Sequence, residues 1–94
     1  MRLKDFEIQA IKECILSFDP SGKIYLFGSR VSDSEKGGDI DLLILSEQLT
    51  YTDKIKIKQQ LFDKIGEQKI DIVIAKDAAQ PFIKLVLEQG VPLE

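Results

Sequence analysis

Apolar residues along positions 3–18 recur at helical spacing: Leu3, Phe6, Ala10, Ile11, Cys14, Ile15 and Phe18, with Arg2, Lys4, Asp5, Lys12 and Glu13 elsewhere around the axis. That pattern predicts an amphipathic helix laid on an apolar surface. Asp19-Pro20-Ser21-Gly22 breaks it, because proline cannot continue a helix and glycine tolerates the turn. The pattern then changes to short runs. Ile24-Tyr25-Leu26-Phe27, Leu42-Leu43-Ile44-Leu45 and Lys69-Ile70-Asp71-Ile72-Val73-Ile74-Ala75 read as strands, the second covered on both faces. Between the last two, Thr52 is expected to cap a helix reaching about Ile65 and stopped by Gly66. Its apolar residues Ile55, Ile57, Leu61, Phe62 and Ile65 fall in one half of the wheel and leave Lys54, Lys56, Lys58 and Lys64 as a solvated face. A last helix is expected from Pro81 at its first position to about Gln89, with Gly90 at C′. Phe82, Ile83, Leu85, Val86 and Leu87 make it apolar around most of its circumference, which asks for cover on more than one side and hints at a partner chain.

The order α-β-(α)-β-α-β-α predicts an α/β (α+β) fold: a small mixed sheet of about three strands packed with helices, a single domain over residues 1–94. Charge and composition narrow the chemistry. With 13 basic and 16 acidic residues, net −3, and the basic ones dispersed, the footprint of a duplex nucleic-acid binder is missing. There is no histidine, so Ser-His-Asp triads, imidazole acid–base catalysis and histidine zinc sites are excluded. The single Cys14, flanked by Ile15, is expected in the core, consistent with a reducing cytoplasm and no disulfide framework. No apolar run approaches a membrane span, and residues 1–5 lack a signal-peptide apolar region.

One stretch carries the chemistry: Gly28-Ser29-Arg30 after the first strand, a polar interval over residues 30–38 read as an exposed loop, and Asp39-Ile40-Asp41 leading into the second strand. Strand side chains alternate, so Asp39 and Asp41 are expected on one face with Cα atoms about 6.6 Å apart. Two like charges that close to an apolar core repel unless a cation lies between them, and hard Mg²⁺ suits carboxylate oxygens. Gly28 permits close backbone approach, and Ser29 offers a hydroxyl and an N–H at what reads as the start of a helical turn, a setting that favours anions. Arg30 has a triphosphate contact and a surface ion pair as equal readings. Asp71, near the start of the third strand, adds a third carboxylate and a two-metal possibility. The bland readings are a solvated turn for Asp39 and Asp41 and a partner such as Lys69 for Asp71.

Gly28-Ser29, nine intervening residues, Asp39-Ile40-Asp41 and a later strand-borne Asp71 together resemble the polymerase-β-type nucleotidyltransferase superfamily, and the size resembles its smallest branch, the minimal nucleotidyltransferases. The resemblance covers essentially the whole chain. It implies that Gly28, Ser29 and Arg30 bind a nucleotide triphosphate, ATP, and that Asp39, Asp41 and Asp71 are the catalytic carboxylates holding two Mg²⁺ ions, Asp71 helping to deprotonate the acceptor. It further implies pairing with a helical HEPN-type ribonuclease toxin in the cytoplasm, with AMP moved from ATP onto a tyrosine of that partner so that the chain acts as antitoxin. Two rivals follow from other classes: a binding module that silences its partner by occlusion, and an enzyme modifying RNA or a small molecule.

Overall fold

In the computed structural model, which describes residues 3–31, 39–66 and 68–93, the chain runs α1 (Asp5–Phe18), β1 (Lys23–Phe27), a 3₁₀ turn (Gly28–Val31), β2 (Ile40–Leu45), α2 (Tyr51–Ile65), β3 (Ile70–Ala75), α3 (Pro81–Gln89) and β4 (Val91–Pro92). The expected loop over residues 30–38 lies outside the described residues from position 32 on, and Arg30 and Val31 belong to the turn. The strands form one mixed sheet in the order β3-β2-β1-β4. β1 runs antiparallel to β2 and β4, and β2 runs parallel to β3. Helix α2 supplies the crossover that a parallel pair requires.

Among the described residues there are four strands where about three were expected. The additional one is two residues long and contains Pro92, so it carries no alternation to read; proline fits there because β4 is an edge strand. Leu93 extends the pairing by donating its N–H to the Ile24 carbonyl. Gly90 correspondingly has an extended backbone, φ −77° and ψ 166°, and leads directly into β4 instead of taking the left-handed C′ role. Gly66 does take positive φ, at 88°.

β2 is the strand that both faces of the sheet share. Ile40, Leu42 and Ile44 pack with Ile11 and Ile15 of α1 and Ile57 and Leu61 of α2, while Leu43 packs with Ile83 and Val86 of α3. All four β2 side chains are fully buried, which is why the run shows no alternation. Cys14 is buried in the α1–α2 core, and burial pushes its thiol pKa up despite an opposing pull from Lys64.

Two helix starts differ from expectation. α1 begins at Asp5 because Glu7 accepts a 2.9 Å hydrogen bond from the Lys4 N–H. α2 is capped by Thr50, not Thr52: Thr50 Oγ1 accepts from the Asp53 N–H at 3.2 Å, and the Asp53 carboxylate accepts from the Thr50 N–H at 2.9 Å. Only Thr50 has an acid three residues on, which the reciprocal cap requires. On α2 the buried residues are Ile57, Leu61 and Ile65, whereas Ile55 and Phe62 are exposed; on α3, Ile83 and Val86 are buried, and Phe82 and Leu85 are about half-exposed. Among the described residues no helix is long and apolar enough to cross a membrane.

Candidate active site

The site lies at one end of the three neighbouring strands. β2 pairs with β3 in a register that sets Asp41 opposite Asp71, and with β1 in a register that sets Phe27 opposite Asp41. Side chains directly across a ladder share a face. Asp41 and Asp71 therefore stand side by side on the α3 face of the sheet, continuing the row of Leu43 and Val73 that packs towards α3. The next residue after Phe27 on β1 is Gly28, at φ +78°. A Cβ placed on Gly28 would collide with the Asp41 Oδ2 atom. Glycine at this corner is thus required twice, by its backbone conformation and by the carboxylate lying against it.

Asp39 stands one residue before β2 and its side chain is partly exposed. Its carboxylate meets the Lys69 ammonium at 3.5 Å, and the Ile40 N–H next to it bonds the Lys69 carbonyl. Lysine 69 therefore partners Asp39, where sequence spacing had offered it to Asp71. Ser29 and Arg30 follow Gly28 in the 3₁₀ turn, and their side chains lie outside the described part of the structure.

Asp41 is the electrostatically disturbed member. Burial raises its pKa first, the neighbouring charges of Asp71 and Asp39 raise it further, and Lys69 opposes them. No described residue donates a hydrogen bond that would settle this carboxylate. Among the described residues no group of three His, Cys, Asp or Glu side chains is gathered into a ready-made metal cage, with Asp39 turned to its ion pair. The donor set is nevertheless of the kind a hard divalent cation takes: oxygen only, two carboxylates in register and a third, Asp39, whose charge acts on Asp41. Asp41 Oδ2 itself occupies the place a Cβ on residue 28 would take, so the glycine corner and this oxygen are in direct contact.

Two hollows lie near this end of the sheet, one on each face, the first on the face of the carboxylates. On the β1 side, about 440 Å³ is bounded by Phe27, Gly28, Val31, Phe82, Leu85 and Val86. On the β3 side, about 610 Å³ is bounded by Lys58, Phe62, Lys69, Ile70 and Asp71 among others. Lys69 was not singled out by the sequence as a site residue. The signal available for Lys69 was its position directly before a strand whose second residue is an acid.

A family model described as "Polymerase beta, Nucleotidyltransferase" matches residues 9–93. No curated protein matches the chain. Among solved structures, a chain of the tri-AMPylated Shewanella oneidensis HEPN toxin in complex with MNT antitoxin is 23% identical with a TM-score of 0.73, the match covering 98% of this chain and 72% of that one. The toxin–antitoxin MntA–HepT gives 24% identity and a TM-score of 0.71, over 97% and 72% of the two chains. A mutant of a toxin–antitoxin MntA–HpeT with two aspartates changed to glutamate gives 22% identity and a TM-score of 0.74, over 93% and 71%. At these identities the likeness establishes the shared fold.

Proposed function

The chain belongs to the polymerase-β nucleotidyltransferase family, and from that premise we propose that it moves AMP from ATP onto a tyrosine of a helical HEPN-type toxin and so acts as its antitoxin. The observation that carries this reading is the register pair Asp41–Asp71 set against the positive-φ Gly28. The similar solved complexes, one holding an AMPylated HEPN toxin with its MNT antitoxin, support the partner and the modification.

In this reading Gly28 and the 3₁₀ turn behind it, with Ser29 and Arg30, receive the triphosphate, because a glycine corner opening a helical turn presents backbone N–H groups to anions. Asp39, Asp41 and Asp71 would hold Mg²⁺, which when bound supplies neutralisation of the phosphate charge and of the carboxylates' mutual repulsion. The tyrosine oxygen attacks the α-phosphorus, the bond from that phosphorus to the α,β-bridging oxygen breaks, and pyrophosphate leaves with the bonding electron pair. Asp71 takes the phenolic proton, and the products are a tyrosine–AMP phosphodiester and pyrophosphate. Nothing in this sequence of events needs an imidazole, so the absence of histidine is consistent with it.

The test is transfer of label from ATP labelled at the α-phosphate to the HEPN toxin of the chain's own pair, in Mg²⁺. Label on a tyrosine, lost in Asp41→Asn, is the expected result. No label from the unaltered chain, with toxin neutralisation intact in an Asp39→Ala/Asp41→Ala double variant, would establish occlusion instead; label on RNA or a small molecule in place of the toxin would assign a different acceptor.

A further inference from the structure

We infer that a second copy of this chain covers the outer edge of β3, the two β3 strands pairing antiparallel about a two-fold axis and the two α2 helices meeting over them. The two edges of the sheet are built differently. At one edge β4 is two residues long and contains Pro92, which cannot donate to a further strand. At the other, β3 runs over Ile70–Ala75 with no proline, glycine or lysine, and so lacks the devices that blunt an edge. The Lys69 and Ala75 carbonyls accept from β2, and the residues of β3 that bond β2 alternate with those that do not. Ile72 and Ile74 therefore turn their N–H and C=O groups outward, and among the described residues no backbone partner meets them there.

Helix α2 carries an exposed apolar stripe along that same edge. Its flank towards α1 is marked by the Ile57 carbonyl and the Gln60 side chain, both within reach of the Cys14 thiol. Its other flank borders β3: Tyr51 shares a hollow with Ile74 and Lys76, and Phe62 shares one with Ile70. Ile55 stands on that flank as well, because positions i, i+4 and i+11 of a helix fall within about 40° of one another. Tyr51, Ile55 and Phe62 are 73%, 42% and 50% exposed, whereas the core is met through Ile57, Leu61 and Ile65. A row of large apolar side chains left in water beside an unguarded strand marks an interaction surface.

Self-complementarity identifies the occupant. A two-fold axis perpendicular to the sheet makes β3 antiparallel to its copy and keeps both α2 helices on one face. The register is then decided by charge, since like charges directly opposite oppose pairing. Centring the pair on Asp71 sets the two Asp71 carboxylates opposite each other, and centring it on Ile74 sets Asp71 opposite Asp77. Centring on Ile72 leaves Lys69 opposite Ala75, its charge unmatched. Centring on Val73 sets Ile72 opposite Ile74 and Asp71 opposite Ala75, and brings Lys69 towards Asp77 of the other copy, both exposed. That register also sets Ile70 opposite Lys76, and with them Phe62, beside Ile70, against Tyr51, beside Lys76. Strand edge, charge and aromatic stripe agree on one arrangement, in which two four-stranded sheets become continuous.

Sedimentation equilibrium of the chain alone, from about 1 to 100 μM, is expected to show a monomer–dimer equilibrium. Phe62→Lys raises the dissociation constant at least about tenfold. Asp77→Lys raises it a few fold, and Lys69→Asp added to Asp77→Lys brings it back. Leu85→Lys, on the α3 face, leaves it as it was. Amide hydrogen exchange gives a second readout: exchange at Ile72 and Ile74 slows as the concentration of the unaltered chain rises, and does not in Phe62→Lys. An unchanged circular-dichroism spectrum of Phe62→Lys excludes a folding defect as the cause. A monomer at every concentration, or a dimer lost in Leu85→Lys and kept in Phe62→Lys, overturns the inference. So does slowing at Ile72 and Ile74 only when the HEPN toxin of the chain's own pair is added, which would assign this edge to the toxin; a charge exchange that fails to restore the dimer overturns the register.

Discussion

The two ends of β2 each hold an aspartate out of full contact with water, and they treat it in opposite ways. Beyond its C-terminal end, Asp19 is buried and supplied with donors: the Ser46 hydroxyl at 2.5 Å, the Gln48 side-chain amide at 2.6 Å and the Ser21 N–H at 3.0 Å. Those bonds, Ser46 foremost, hold its pKa below the ordinary range against the opposing effect of burial. Ser46 in turn accepts from the Gln48 and Leu49 N–H groups, so the cluster ties the end of α1 to the approach to α2. At the N-terminal end of the same strand, Asp41 has its pKa pushed up, first by burial and then by the second carboxylate in register beside it. A polar cluster whose donors and acceptors balance serves the fold. A cluster of like charges left unbalanced lowers the stability of the folded chain, and such places are where function concentrates.

The comparison breaks most visibly at Asp41. Asp41→Asn keeps the shape and removes the charge, so AMP transfer is expected to fall by at least on the order of 100-fold, while the melting temperature, measured without nucleotide or divalent cation, rises. A drop in both would mean that Asp41 is a structural acid like Asp19. Next in size, Leu42→Ala empties a fully buried position of β2 between the two ends and is expected to cost about 2–5 kcal/mol in denaturant unfolding. Asp19→Ala leaves the Ser46 hydroxyl and the Gln48 amide without their acceptor and is expected to cost about 1–3 kcal/mol, with transfer by the folded protein unchanged. An equal loss of transfer in Asp19→Ala would show that the two ends are coupled.

How much of this was legible in the sequence follows the same division. The helices, three strands and the doubly covered β2 could be read because burial imposes periodicity, and Gly28, Asp39, Asp41 and Asp71 stood out because carboxylates and glycine beside apolar runs contradict the local pattern. The structure assembles them unevenly: Gly28, Asp41 and Asp71 converge, whereas Asp39 lies outside the strand on Lys69. The Thr50 cap was missed although Asp53 three residues later announced it. The Asp19 cluster could not be seen, since its members are 27 and 29 residues apart in the chain and polar residues near Pro20 read simply as a turn. β4 was too short to show a period.

The smallest effect expected is in the pH dependence of stability, and there the two carboxylates separate by sign. Asp19 has a folded pKa depressed from its ordinary 3.8. Its contribution is fully present above 3.8 and is lost as pH falls from there through the depressed folded value. Asp41 has a folded pKa raised from the same 3.8, so its charge opposes folding above the raised value, and that cost disappears as pH falls back to 3.8. The windows lie on opposite sides of one pH. Urea unfolding without nucleotide or divalent cation, followed from neutrality down to about pH 3, should therefore show the stability advantage of Asp41→Asn over the unaltered chain shrinking before the disadvantage of Asp19→Ala begins to shrink. If the Asp41→Asn advantage holds constant down to the ordinary carboxylate range, burial and the neighbouring charges do not oppose the charge of Asp41 at neutral pH, and the contrast between the two ends of β2 fails at its N-terminal end.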